Sequence, residues 1–222
     1  MNGSAPGPVG ILGGTFDPIH LAHLRLAQEA LERCRLVQVR LVPSARPPHR
    51  GVPGASAEQR LRMVELAIRG NPALAADDRE LRRSEASFTI DTVASFRAEL
   101  GDGRSLCLIL GADAFALFET WKQWRILLDQ VHVIVACRPG YDPQPASPVL
   151  GKEYRRRCIV RPEDLESSSG GLIYPLAITA LDISASRIRE DLAAGTSPRY
   201  LLPDSVLGYI ESNHLYRSPD AG

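Results

Sequence analysis

Apolar residues along this chain fall into two alternating rhythms. Short β-branched and leucine-rich runs at residues 9–12, 37–42, 106–110, 131–137 and 173–178 predict buried strands. Between them, apolar side chains recur at three- and four-residue spacing, the period of a half-buried helix. Leu24, Ala27 and Leu31 stripe a helix over residues 19–35. Leu61, Val64 and Ile68 stripe another that begins at Ser56, and Val93, Phe96 and Leu100 one over residues 91–100. Ser56 and Gln59 make a capping box; Gly70, Asn71 and Pro72 stop the same helix, as Gly101 stops the next. Further helices are predicted over 121–128, 184–194 and 204–213. From 141 to 171, prolines, serines and charges displace the rhythm and predict an irregular excursion with one short helix near Tyr154. Residues 1–8 read as a flexible N-terminus and 184–216 as the C-terminal helical part of a single domain over 1–222.

Strands alternating with helices predict an α/β fold: a Rossmann-like, mostly parallel sheet with helices on both faces, because parallel crossovers need helices and those helices bury both sides. The segments that follow the strands, 13–17, 43–50, 111–113 and 138–140, are rich in glycine, proline and polar groups. Open α/β sheets bind ligands beyond the carboxyl ends of their strands, so these loops are expected to share one crevice.

Charge and cysteine content narrow the class. Lys and Arg total 26 against 26 Asp and Glu. That balance offers no electrostatic case for a nucleic-acid or membrane partner. Cys34, Cys107, Cys137 and Cys158 lie far apart without a Cys-x-x-Cys pair, and they read as buried thiols of a reducing compartment. No secretory h-region or membrane-length apolar run is visible, so a soluble cytoplasmic protein is expected. The sequence is compatible with a homo-oligomer and does not set the number of copies.

The chemistry concentrates in Gly13-Gly14-Thr15-Phe16-Asp17-Pro18-Ile19-His20-Leu21-Ala22-His23. A strand leads into a glycine turn and then a helix, whose free amides and two histidines, three residues apart, favour an anion. A nucleotide phosphate is the natural ligand. The turn is not Gly-x-Gly-x-x-Gly, no acidic residue ends the second strand, and Gly-Lys-Ser/Thr, Gly-x-Ser-x-Gly and His-Glu-x-x-His are all missing. Dinucleotide oxidoreductases, P-loop enzymes and the common hydrolases are thereby disfavoured.

The same stretch resembles the T/H-x-G-H motif of nucleotidyltransferases, and Ile183-Ser184-Ala185-Ser186-Arg187-Ile188-Arg189 resembles their Ile-Ser-x-Thr/Ser-x-x-Arg phosphate-binding element. Pro43 to Arg50, Ser87 to Thr92, Gly111-Ala112-Asp113, Thr120-Trp121 and Arg138-Pro139-Gly140 narrow the likeness to the bacterial nicotinate mononucleotide adenylyltransferases. Two positions depart from the family pattern: Ala22 replaces the usual glycine between the histidines, and Ser44 stands where asparagine is common.

The resemblance implies adenylyl transfer from ATP to nicotinate mononucleotide, with Mg²⁺ carried on the ATP phosphates. It assigns catalysis to His20, His23 and Arg189, and ATP binding to Gly13, Gly14, Thr15, Phe16, Asp113, Arg138, Ser184 and Ser186. It assigns the second substrate to Ser44, His49, Arg50, Thr89, Trp121 and Lys122, with Trp121 as a platform for the pyridine ring. Ser184 reads equally as a helix N-cap, Arg187 as an exposed side chain, Trp124 as core, and His132 and His214 as structural. Acid versus amide in the pyridine substrate stays open, as do phosphopantetheine as acceptor and a nucleotide-binding protein without catalysis.

Overall fold

The computed structural model describes residues 7–45, 52–83 and 87–217. Six parallel strands form one sheet in the order β3-β2-β1-β4-β5-β6. They are β1 (Val9–Gly14), β2 (Gln38–Pro43), β3 (Leu74–Ala76), β4 (Leu106–Gly111), β5 (His132–Cys137) and β6 (Ile173–Ala177). Eight helices connect or follow them: α1 (Leu21–Arg33), α2 (Ala57–Ala67), α3 (Thr89–Leu100), α4 (Ala112–Ala116), α5 (Trp124–Gln130), α6 (Pro148–Arg157), α7 (Ala185–Ala193) and α8 (Asp204–Ser212).

Side chains alternate across each strand, and the alternation sorts the core into two layers. Leu12, Leu41, Cys107, Ile109, Ile134 and Leu176 point to one face, where Ala27 and Ala30 of α1, Met63 and Val64 of α2 and Val206, Leu207 and Ile210 of α8 cover them. Val9, Ile11, Leu108, Leu110, Val133 and Val135 point to the other, under Val93 and Phe96 of α3 and Leu127 and Leu128 of α5. Both faces are therefore dry, as the Rossmann-like reading requires.

Several expectations are sharpened or corrected. Pro8, read as part of a flexible N-terminus, already belongs to the sheet region: its carbonyl accepts from the Val37 N–H at 2.9 Å. Ser56 caps α2 as expected, its hydroxyl accepting from Gln59 N–H at 3.2 Å while Gln59 Oε1 accepts from Ser56 N–H at 2.9 Å. The buried residues of α2, however, are Arg60, Met63 and Val64; of the expected stripe Val64 is buried, while Leu61 and Ile68 are half-buried. The excursion over 141–171 contains a full helix, α6, started by the Ser147 cap and Pro148 and anchored by buried Leu150. β3 and α4 were not legible because three and five residues are too short to show a period. Cys34, Cys107 and Cys137 are buried and Cys158 half-buried. Burial raises the thiol pKa of the first three, so they serve packing. Among the described residues no helix is long and apolar enough to cross a membrane.

Candidate active site

The sheet opens where the strand order reverses, between β1 and β4. β1 pairs with β2 as far as Gly14↔Pro43, yet with β4 only as far as Leu12↔Ile109. β4 meanwhile pairs with β5 to Gly111↔Ala136. The two central strands thus part at their carboxyl ends, leaving Gly13 and Gly111 exposed at the topological switch point of a 3-2-1-4-5-6 sheet.

The loop leaving β1 differs from the predicted glycine turn. Gly13 and Gly14 are still strand, held by β2, and the left-handed conformation falls on Phe16, with φ 51°. Gly14 is required for another reason: a Cβ there would lie 2.9 Å from Phe16 Cε1. The buried Phe16 ring folds back beneath the loop and meets His23 edge-on, centroids 5.1 Å apart. A close approach, with no left-handed glycine, is what selects this residue.

His20 is the N-cap of α1, and its ring stacks on His23 with centroids 3.7 Å apart and planes 27° from parallel. Its backbone N–H donates to His23 Nδ1 at 3.3 Å. The His20 ring is buried, and its Nδ1 has no hydrogen-bond partner among the described residues. Burial lowers the His20 pKa to about 4. Near neutral pH the His20 ring is therefore an uncharged hydrogen-bonding group. The helix start also offers fewer amides than expected. Leu21 N–H is taken by the Leu201 carbonyl and His23 N–H by the His20 carbonyl, both at 3.0 Å.

Asp17, within the motif but given no role from sequence, joins the histidine loop to the segment that carries Arg189. Its carboxylate is buried and accepts from Gly54 N–H at 2.9 Å, Ala55 N–H at 3.1 Å and the Tyr216 hydroxyl at 2.7 Å. Arg189 Nη1 donates to the Asp17 carbonyl at 2.6 Å and lies 3.7 Å from Asp17 Oδ2. Arg189 Nη2 also donates to Ser186 Oγ at 3.4 Å. Burial, then the bond to Asp17, raises the Tyr216 pKa, so the phenol keeps its proton and remains a donor. Ser184 caps α7 by accepting from Arg187 N–H at 3.2 Å, and the exposed Arg187 side chain turns to Asp191 at 3.1 Å.

A second group assembles across the crevice. Ser44 N–H donates to the Gly14 carbonyl at 2.9 Å, and Ala45 N–H to Ser87 Oγ at 3.2 Å. Thr89 opens α3 two residues further on. Lys122 Nζ sits 3.3 Å from Asp91 Oδ2 and 4.5 Å above the Phe88 ring, which brings the Trp121–Lys122 segment against the start of α3. Trp121 is half-buried on Phe118, centroids 5.0 Å apart, while Trp124 is core. Asp113 and Arg138 are exposed at the carboxyl ends of β4 and β5. His49 and Arg50 lie outside the described residues. His132 is structural: fully buried, with Nε2 2.9 Å from the Ser168 carbonyl and Nδ1 accepting from Leu172 N–H.

Sequence reasoning missed Asp17, Arg60 and Tyr216 as parts of this assembly. Arg60 is 1% exposed and donates to the carbonyls of Thr15, Ser44, Ala45 and Ala55. Its one sequence signal is an arginine in the same helical stripe as Met63 and Val64. For Asp17 the signal was its place between two glycines and two histidines.

Comparison with known proteins agrees with this architecture. Residues 11–191 match the model of the cytidylyltransferase-like family. The chain is 46% identical over 211 residues to a probable nicotinate-nucleotide adenylyltransferase of Pseudomonas aeruginosa, covering 95% of this chain and 98% of that one. It is 47% identical over 206 residues to a protein of the same name from Marinobacter nauticus, covering 93% and 95%. The fold matches the Plasmodium falciparum nicotinic acid mononucleotide adenylyltransferase solved with NaAD at a TM-score of 0.73 and 18% identity, covering 95% and 97%. At the level of fold that structure is similar along nearly the whole chain, and the bacterial relatives are similar in sequence over the same span. The chain belongs to the cytidylyltransferase-like family and, within it, to the nicotinate-nucleotide adenylyltransferases.

Proposed function

We propose that this protein transfers the adenylyl group of ATP to nicotinate mononucleotide, giving nicotinate adenine dinucleotide and pyrophosphate in NAD biosynthesis. The observation that carries the reading is the buried His20 Nδ1, without a partner among the described residues, in the same loop whose Asp17 holds Arg189. Buried polar atoms are almost always paired, so an orphan at the mouth of a switch-point crevice points to a ligand oxygen or donor.

The reaction asks little covalent chemistry of the protein. A nucleotide phosphate has a second pKa near about 6, so it arrives largely dianionic and attacks the α-phosphorus of ATP without a general base. One phosphate oxygen bonds to that phosphorus, the bond to the β-phosphate oxygen breaks, and pyrophosphate leaves with the electron pair. His20 and His23 hydrogen-bond the α-phosphate and bridging oxygens, where charge builds. The Gly13 to Phe16 backbone lies along the phosphates, while Arg189 and Ser186, with the α7 start capped by Ser184, take the β- and γ-phosphates. Asp113 accepts from a ribose hydroxyl and Arg138 lines the nucleotide pocket.

Ser44, His49, Arg50 and Thr89 surround the acceptor nucleotide, with Trp121 stacked on its pyridine ring and the backbone at Lys122 near its carboxylate. Mg²⁺ arrives on the ATP phosphates. When bound, it neutralises charge on the leaving pyrophosphate. A cytoplasmic location fits these substrates.

The test is pyrophosphate release from ATP and Mg²⁺ with nicotinate mononucleotide, nicotinamide mononucleotide and phosphopantetheine compared side by side. Preference for the nicotinate substrate is expected. Preference for either other acceptor moves the protein to a different adenylyltransferase activity, and ATP binding without pyrophosphate release makes it a nucleotide-binding protein.

A further inference from the structure

We infer that Arg60 is a positioning residue for adenylyl transfer, a role that rests on the function proposed above. Its guanidinium ties together the three chain segments that shape the mouth of the crevice. Nη1 donates to the carbonyls of Thr15, leaving β1, and Ser44, leaving β2, both at 2.7 Å. Nη2 donates to the Ala45 carbonyl at 3.4 Å, and Nε to the Ala55 carbonyl, on the approach to α2, at 3.3 Å. The side chain touches no catalytic group named above; it acts through the backbone.

Arg60 shares its helix stripe with Met63 and Val64, where an apolar side chain would avoid desolvating a charge but leave the carbonyls of Thr15, Ser44, Ala45 and Ala55 without this donor. What arginine supplies is geometry: a rigid planar fork of donors that a lysine ammonium or an apolar group cannot reproduce. Each carbonyl it holds also orients the amide on the opposite edge of the same planar, trans peptide. Fixing the Ser44 carbonyl inward turns the Ala45 N–H outward, where it meets Ser87 Oγ at 3.2 Å, next to the Thr89 segment. Fixing the Thr15 carbonyl turns the Phe16 N–H away from Arg60 in the same manner.

A second set of bonds closes the arrangement. Asp17 holds the Gly54 and Ala55 amides while Arg60 holds the Ala55 carbonyl, so the approach to α2 is gripped from both sides. Asp17 in turn carries Arg189. The buried guanidinium therefore sets the spacing between the ATP side of the crevice, at Thr15 and Asp17, and the acceptor side, at Ser44 and Ser87. In-line transfer is sensitive to such spacing, because displacements of about 1 Å cost on the order of 10²-fold in rate.

The experiment uses the full-length protein with Arg60→Lys and Arg60→Ala, read by steady-state kinetics for both substrates, thermal unfolding and residue-resolved amide hydrogen exchange. In Arg60→Lys, kcat should fall about 10²-fold with each KM changed by less than about threefold. Exchange should speed up at Phe16 and Ala45 and stay unchanged in β4 and β5. Methylguanidinium should restore part of the kcat of Arg60→Ala and leave the wild type unaffected. The proposal is overturned if the lysine variant keeps kcat within about threefold of wild type, if its loss matches the fraction unfolded, or if it does not fold. A wild-type protein that releases no pyrophosphate with any acceptor would instead remove the functional reading, and the exchange data would still report whether Arg60 orders these loops.

Discussion

Glu29 in α1 and Thr179 beyond β6 are joined across 150 residues: both carboxylate oxygens accept from the Thr179 N–H, at 3.0 and 3.2 Å. Glu29 is fully buried, and its oxygens also face Arg25 at 2.6 Å and Arg33 at 3.2 Å. Burial alone would raise its pKa, but the bonds from Arg25 and Thr179 outweigh it and hold the carboxyl below its ordinary range. The helix that carries His20 and His23 is thus stapled to the segment that leads into Ser184, Ser186 and Arg189.

Replacing Glu29 by Gln should remove the charge-assisted bonds without emptying the site. A loss of about 1–3 kcal/mol in unfolding free energy is expected, since both arginines are half-exposed and can be hydrated. Denaturant unfolding measures it. If the staple also aligns the second phosphate element, KM for ATP rises while KM for the acceptor is unchanged.

His20 gives acid sensitivity a defined window. Its folded-state pKa is about 4, below the unfolded value of 6.5, so the unfolded chain binds the extra proton first as pH falls. The stability His20 contributes is fully present above about pH 6.5 and is lost progressively down to about pH 4, reaching about 3 kcal/mol. Stability measured from pH 7 to 4 should fall less steeply in His20→Gln than in wild type. Identical slopes would refute the assignment. In activity, His20→Ala should lose roughly 10²-fold or more in turnover while remaining folded at pH 7.5.

The parts of this molecule that were legible in the sequence are those governed by local pattern. Leu106 to Leu110 could only be a buried strand, and Ser56 with Gln59 announced the start of α2. The histidine pair and Arg189 were legible as motifs. What pattern could not show was which groups meet through space. Asp17 finds its role only because Gly54, Ala55, Arg189 and Tyr216 come from distant segments. Arg60 stands beside the apolar stripe expected of α2, and periodicity passes over such a residue even though its guanidinium meets four carbonyls. The two glycines suggested a turn because that is their commonest use, whereas pairing with β2 keeps them in the strand.

Gly14→Ala tests that last point. The new methyl would stand 2.9 Å from the Phe16 ring, which is buried and cannot swing into solvent. Displacing the ring disturbs its edge contact with His23. Overpacking of this kind costs about 1–3 kcal/mol, so the variant should fold with a lowered midpoint and lose activity beyond what the unfolded fraction explains. Gly13→Ala is the control: nothing lies within 4 Å of its added Cβ, and stability should change little.

Lys122 separates acceptor recognition from stability. Its ion pair with Asp91 is 3.3 Å long with both side chains more than two-fifths exposed, an arrangement worth about 0–1 kcal/mol. Lys122→Met should therefore leave the unfolding midpoint nearly unchanged. The same substitution frees the Trp121–Lys122 segment from Asp91 and Phe88 at the start of α3, beside Thr89. If that junction receives the pyridine carboxylate, KM for nicotinate mononucleotide should rise by roughly tenfold while KM for ATP stays within about twofold. A rise confined to ATP would move the acceptor elsewhere along the crevice. An equal, small effect on nicotinate and nicotinamide mononucleotides would show that the segment holds the ring without reading its carboxylate.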